Sequence, residues 1–261
     1  MTAAPVPDDD LAAAPREADR HADRPLEGGR TDTYRHPPLV RVTHWINVAA
    51  VVILIMSGLN ILAAHPHLYW GLRSTFADPW VSFETIPAWT MIPQGRDLAR
   101  ARDWHFFFAW VFVINGLVYL IWTLAKRRFQ TRIWPTREDL GNFWPSVKEH
   151  ARFHFPKDDE ARTYNVLQKM TYAFMIVVVL PMMLITGLSM SPGFNAIGGV
   201  LLDLMGGRQS ARTLHFIAGA LIVGFIVVHV GLVVWTGFVN NMRAMITGWF
   251  VIEPSEPKDH R

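Results

Sequence analysis

Apolar positions in this chain gather into four long runs, at about residues 42–64, 104–125, 166–190 and 213–239. Each is long enough to cross a hydrocarbon core about 30 Å thick, which takes roughly 20 helical residues. None has Asp, Glu, Lys or Arg in its middle, and Lys169 lies near the start of the third. A helix in lipid satisfies its own backbone hydrogen bonds, so it is the natural spanning form. A soluble all-α protein would show polar stripes at helical period instead. The pattern predicts an all-α fold, an integral membrane four-helix bundle. One membrane domain covers 36–250, with tails at 1–35 and 251–261.

The N-terminal tail is rich in Ala, Pro, Asp and Arg and has no apolar stretch. It is expected to be disordered. It lacks the apolar segment of a signal peptide, so the first span is expected to direct insertion and to stay in the mature protein.

Charge sets the orientation. The 126–165 connection holds Lys126, Arg127, Arg128, Arg132, Arg137, Lys148, Arg152, Lys157 and Arg162, and the tail adds Arg16, Arg20, Arg24, Arg30, Arg35 and Arg41. The 65–102 connection has only Arg73, Arg96, Arg100 and Arg102, and the third has Arg208 and Arg212. Lys and Arg are retained on the cytoplasmic side. Both termini and the 126–165 connection are therefore expected on the cytoplasmic side, with 65–102 and 190–211 outside. The 65–102 segment is dense in aromatics and prolines. It suits an interfacial aromatic belt and equally a docking surface for an external partner.

The chain has no cysteine. That excludes disulfides, thiolate-held iron–sulfur clusters, covalent c-type haem and cysteine nucleophiles. A net charge of +3 gives no ground for a nucleic-acid partner.

Four of the eleven histidines fall in the spans: His44, His105, His215 and His229. The first and third connections being outside, His44 enters from the cytoplasmic face, and His105 and His215 open their helices at the outer face. His229 lies fourteen residues beyond His215, roughly 21 Å deeper at about 1.5 Å per residue, and nearly on the same helix face. Two level pairs result, His105 with His215 and His44 with His229. A lone membrane histidine more often bonds a neighbouring helix. Two depth-matched pairs drawn from different helices fit bis-histidine ligation of two haem b irons, in sites assembled from facing helices. No catalytic residue is assigned.

Three of the histidines follow an arginine by three residues, in "RVTH" (Arg41), "RDWH" (Arg102) and "RTLH" (Arg212). Guanidinium suits carboxylate recognition, so these arginines are candidates for haem propionates, Arg102 and Arg212 more than Arg41, which snorkelling also explains. Gly58, fourteen residues after His44, would let a haem edge approach at the outer level. A faint repeat joins "RDWHF" to "RTLHF" and "MSGL" to "ITGL".

With "RVTHW", "RDWHFFFAW", His215 and His229 in place, residues 36–250 resemble the bacterial cytochrome b561 and nickel–hydrogenase b-type cytochrome superfamily. They look most like the cytochrome b subunits that accompany thiosulfate reductases, formate dehydrogenases and periplasmic molybdopterin oxidoreductases. The resemblance implies the same histidine pairing. It also implies a multi-pass protein of the bacterial inner membrane that transfers electrons between the quinone pool and a periplasmic molybdopterin oxidoreductase. His36, Asp103 and the 126–165 connection are the polar groups that could serve a quinone. Two other classes remain: a stand-alone cytochrome acting on a small external redox substrate such as superoxide, and a haem-free membrane anchor or histidine-relay proton conductor.

Overall fold

The computed structural model describes residues 23–75, 77–126, 141 and 166–253. Most of the basic connection and the first 22 residues lie outside the described residues, as does most of the C-terminal tail. The orientation argument rests largely on them.

Three spans come first: α1 (Pro38–Ala64), α2 (Leu98–Ala125) and α3 (Val166–Met190). A short helix α4 (Asn195–Leu204) leads to the fourth span, α5 (Arg208–Trp235), and then to α6 (Phe238–Thr247). The third span has its expected bounds. The others begin four to six residues before their apolar runs, because polar residues can occupy a first helical turn. Pro38 sits at the start of α1, where its fixed φ suits the helix and its missing N–H costs nothing. Asp97 caps α2, accepting from the Arg100 N–H at 3.1 Å. The fourth span stops at Trp235 rather than 239, because Gly237 takes φ 108° and turns the chain into α6.

Within α3, Met175–Val179 form a π-helical turn. Pro181 follows, and a proline there has no N–H to give and crowds the Val177 carbonyl. A widened turn accommodates both effects. It aims Met175 and Val179 at Ala218 of α5, surrounded by Met182, Met183, Ile222 and Phe225.

Packing is inside-out, as lipid requires. Ser57, Asn60, Thr186, Ser189 and Thr213 are buried, whereas Val52, Ile114, Ile121 and Val227 are exposed. Lipid is as apolar as leucine, so small residues and hydrogen bonds hold the helices together. The principal helix contacts pair α1 with α2 and α3 with α5. Asn115 of α2 donates to the Thr43 carbonyl at 2.8 Å and to Asn47 Oδ1 at 2.7 Å on α1.

The segment after α1 folds over one end of the bundle. Strands β3 (His67–Leu68) and β4 (Val81–Ser82) pair antiparallel. Asn60 Nδ2 donates to the carbonyls of Pro93 at 3.0 Å and Gly95 at 3.1 Å. The Thr213 hydroxyl donates to the Tyr69 carbonyl at 2.7 Å. Gly207 is required here: its φ is 112°, and a Cβ would lie 2.7 Å from the Gly71 carbonyl oxygen.

At the other end the structure corrects the expected tails. Within the expected N-terminal tail, Arg24–Pro25 and Thr31–Tyr34 form strands. β1 (Arg24–Pro25) pairs with β2 (Thr31–Tyr34), and β2 pairs antiparallel with β5 (Trp249–Ile252). The membrane domain therefore has a small sheet that reaches beyond the 36–250 limits at both ends. Its stabilising contacts join residues some 200 positions apart, which local composition does not reveal. Arg24 lies 3.8 Å over the Trp249 ring. Arg243 of α6 donates twice to buried Asp32, at 2.8 Å to each oxygen.

Those bonds from Arg243 hold the Asp32 carboxyl below the usual carboxylate range, against the opposing effect of burial. A carboxyl lowered on folding adds stability above its unfolded pKa, and that stability is lost as pH falls through the folded value. Acidification below the ordinary carboxylate value of about 4 should therefore loosen the sheet. Asp32→Asn should loosen it at neutral pH. Amide hydrogen exchange over residues 24–34 reads both effects, and unchanged protection in the variant at neutral pH would contradict this role.

Candidate metal centres

The structure brings the four span histidines together in two pairs. His105 of α2 faces His215 of α5 with ring centroids 6.2 Å apart and planes at 66°. His44 of α1 faces His229 of α5 at 6.4 Å and 55°. Each pair joins one helix of the α1–α2 hairpin to α5. Among the described residues no cluster of three or more His, Cys, Asp or Glu occurs. A protein-built zinc site takes three or four such ligands. A haem iron has four ring nitrogens already and asks the chain for axial ligands alone.

The spacing can be tested against that chemistry. An imidazole nitrogen sits about 2.0 Å from a bound metal, and it lies about 1.1 Å from its own ring centroid by ordinary ring geometry. Two imidazoles on opposite sides of one iron therefore have centroids about 6.2 Å apart, the sum of these lengths. Both observed separations fit.

The His105–His215 pair has a matched setting on α1 and α3. His105 Nδ1 lies 3.0 Å from Ser57 Oγ, and His215 Nδ1 lies 3.0 Å from Thr186 Oγ1. Ser57 gives its hydroxyl proton to the Leu54 carbonyl at 3.2 Å, and Thr186 gives its own to the Met182 carbonyl at 2.6 Å. A hydroxyl has one proton. With that proton on the carbonyl, each oxygen is placed to accept from an imidazole Nδ1–H, the tautomer that keeps the Nε2 lone pair of both rings available to a metal.

Beside each hydroxyl stands a glycine. A Cβ at Gly58 would lie 3.5 Å from His105 Cε1, and one at Gly187 would lie 3.2 Å from His215 Cε1. Gly58 thus lies against the histidine ring, where a haem edge was expected. The sequence reading missed Ser57, Thr186 and Gly187, although the "MSGL" and "ITGL" repeat contains all three.

The other pair has a different setting. Phe225 stacks on His229 at 5.8 Å and 12°, and Tyr172 meets Phe225 edge-on at 6.1 Å. His44 Nδ1 is buried with no hydrogen-bond partner, a nitrogen whose need a bound group or a turned ring would meet.

The three arginines go to different places. Arg41 donates to the Ile246 carbonyl, and Trp45 Nε1 joins it on the Met245 carbonyl at 3.1 Å, so both cap the end of α6. Arg102 is exposed, with its guanidinium 5.7 Å from the Phe106 ring. Arg212 donates to the carbonyls of His65 and His67. In this structure Arg41 and Arg212 hold backbone. Of the groups considered for a quinone, the His36 N–H donates to the Gly248 carbonyl at 3.2 Å, and Asp103 is exposed.

Comparison with known proteins follows the same line. A protein-methionine-sulfoxide reductase subunit of Azospira oryzae, YedZ1, is 31% identical over 218 residues, covering 82% of this chain and 96% of that protein. A Ni/Fe-hydrogenase B-type cytochrome subunit of Cupriavidus necator is 22% identical over 208 residues, 76% of this chain and 77% of that one. Its counterpart from Rhodobacter capsulatus is 24% identical over 211 residues, 77% and 73% of the two chains. The prokaryotic cytochrome b561 profile matches residues 35–248, and the chain, with its four apolar spans and paired histidines, belongs to that family of b-type membrane cytochromes.

Proposed function

We propose that this protein is a dihaem b-type cytochrome that carries electrons across the bacterial inner membrane, between the quinone pool and a redox partner outside. The observation that carries the reading is the pair of imidazole pairs, at 6.2 and 6.4 Å, set at two levels of one helix. His105 with His215 would hold the outer haem, and His44 with His229 the inner one. A b-type haem held in this way supplies one-electron exchange.

The chain contributes orientation and tuning. Ser57 and Thr186 fix the outer imidazoles by accepting from Nδ1–H, which makes each ring a stronger electron donor to a metal. The apolar faces of the four spans keep water and competing ligands away. The segment 65–97, folded over the outer end, is the surface that meets the partner. Arg and Lys distribution supports this orientation. The partner we assign is a periplasmic molybdopterin oxidoreductase. The name of the Azospira relative narrows its substrate to oxidised methionine in protein.

A reduced-minus-oxidised spectrum with a haem assay should give b-type absorbance and two haems per chain; none, in protein made with ample haem, sinks the reading. A subtler check is Thr186→Val. Losing the Nδ1–H acceptor weakens the donor strength of His215 and favours the reduced iron. The outer potential should rise by roughly 20–60 mV, the equivalent of about one hydrogen bond for a one-electron couple. The inner potential should stay in place in the same titration.

A further inference from the structure

At the outer end, Tyr69, His65, His67 and Arg212 converge without belonging to either histidine pair. Tyr69 is 4% exposed, and its hydroxyl is buried with no hydrogen-bond partner. A buried O–H without an acceptor forfeits its hydration for nothing, so its presence calls for a reason. The Tyr69 ring lies 6.3 Å from that of His65 and 6.5 Å from that of His67. The backbone around it is pinned, because Thr213 bonds the Tyr69 carbonyl and Ser210 Oγ accepts from the Gly71 N–H at 2.8 Å.

Arg212 lies within electrostatic reach of Tyr69. It is three residues before His215, about 4.5 Å nearer the outer surface by helical rise. Its bonds to the His65 and His67 carbonyls use two of five N–H groups. No acidic side chain among the described residues forms an ion pair with it. Burial, then the Arg212 cation and His67, hold His65 below the usual imidazole range. The fixed positive charge here therefore belongs to Arg212.

A buried donor beside a half-buried cation with no counter-charge asks for an anionic acceptor. Because the Tyr69 hydroxyl has no solvent access, that acceptor must arrive from within the bundle. We infer that Tyr69 and Arg212 form a socket for a propionate carboxylate of the haem between His105 and His215, with Tyr69 donating and Arg212 supplying charge. This inference rests on the dihaem reading. It keeps Arg212 as the propionate candidate that the sequence suggests and adds Tyr69 as the hydrogen-bond donor beside it.

The test uses holoprotein carrying haem with carbon-13 in its propionate carboxyls. Redox-difference infrared spectra and a potentiometric titration are recorded for wild type and Tyr69→Phe. The variant should keep both haems and an unchanged inner potential. Its labelled carboxylate band should move. The ratio of reduced to oxidised outer haem at a fixed ambient potential should fall about three- to tenfold, because a less neutralised carboxylate favours the oxidised iron. Two haems with a wild-type outer potential and an unmoved label would overturn the socket. A wild type with fewer than two haems would overturn the dihaem reading itself. If Tyr69→Phe does not accumulate, wild type with ring-labelled tyrosine serves. A tyrosine C–O band in the redox difference supports the socket, and its absence overturns it. A band that shifts on adding acetate would also overturn it, since the site would then be open to free carboxylates.

Discussion

His229→Ala is expected to give a folded protein with one haem per chain, the outer one. His229 and His215 share a face of α5, fourteen residues apart, so each level can be emptied separately. Removing the His229 imidazole leaves His44 as a single ligand. The buried contacts that hold α5 to α3 centre on Met175, Val179 and Ala218, which His229 reaches only through Phe225, and the Ser57 and Thr186 bonds belong to the other level. The haem assay should fall by half, and the redox titration should keep its outer component. Dithionite should still reduce the remaining haem, while quinol should not, because the inner step is gone. Loss of both haems, or of the outer alone, would show that the pairing is wrong.

How far the sequence reveals this site depends on how local each signal is. The span helices and the depth of each histidine follow from hydropathy and helical rise, both properties of contiguous residues. The geometry agrees with the pairing they suggest. The sheet at the chain ends is different. Thr31–Tyr34 and Trp249–Ile252 are short, and neither reads as a strand until the other lies beside it. The short helices α4 and α6 are also hidden, because a window tuned to twenty apolar residues passes over an amphipathic ten-residue helix. Phe238, Val239 and Ile246 of α6 are exposed while Asn240 and Arg243 bond inward, which suits a helix lying in the membrane interface. The surroundings of Arg212 are hidden for a related reason. "RTLH" shows that Arg212 is near His215, but not that the 65–69 segment would bring backbone carbonyls and Tyr69 to it. Gly58 was noticed by spacing along α1. Its neighbour proved to be a ring on α2, which spacing along a single helix cannot supply.

Gly187→Val should remove the outer haem, the largest effect expected from any residue that is not itself a histidine of the pairs. A Cβ at Gly187 falls 3.2 Å from His215 Cε1, closer than ordinary contact, and 3.7 Å from Nδ1. The ring cannot simply withdraw, because Nδ1 is held at 3.0 Å by Thr186, the preceding residue on the same helix. Alanine asks for a displacement of a few tenths of an ångström, and a small change in the outer spectrum is expected with both haems retained. Valine adds two γ-carbons with little rotamer choice in a helix. Such overpacking typically costs about 1–3 kcal/mol, and here the strain falls on the angle at which His215 meets its partner. Gly58→Ala is the control. Its Cβ would lie 3.5 Å from His105 Cε1, an ordinary contact, so it should leave the haem count and outer potential unchanged. Haem stoichiometry together with the low-spin EPR signal, which responds to the angle between ligand planes, separates the three variants. If Gly187→Val kept two haems with wild-type spectra, the Thr186–Gly187 edge would not be what positions His215. If Gly58→Ala were as damaging as Gly187→Val, the 0.3 Å difference between the two contacts would have to yield to a tighter packing of α1 on α2 at this level.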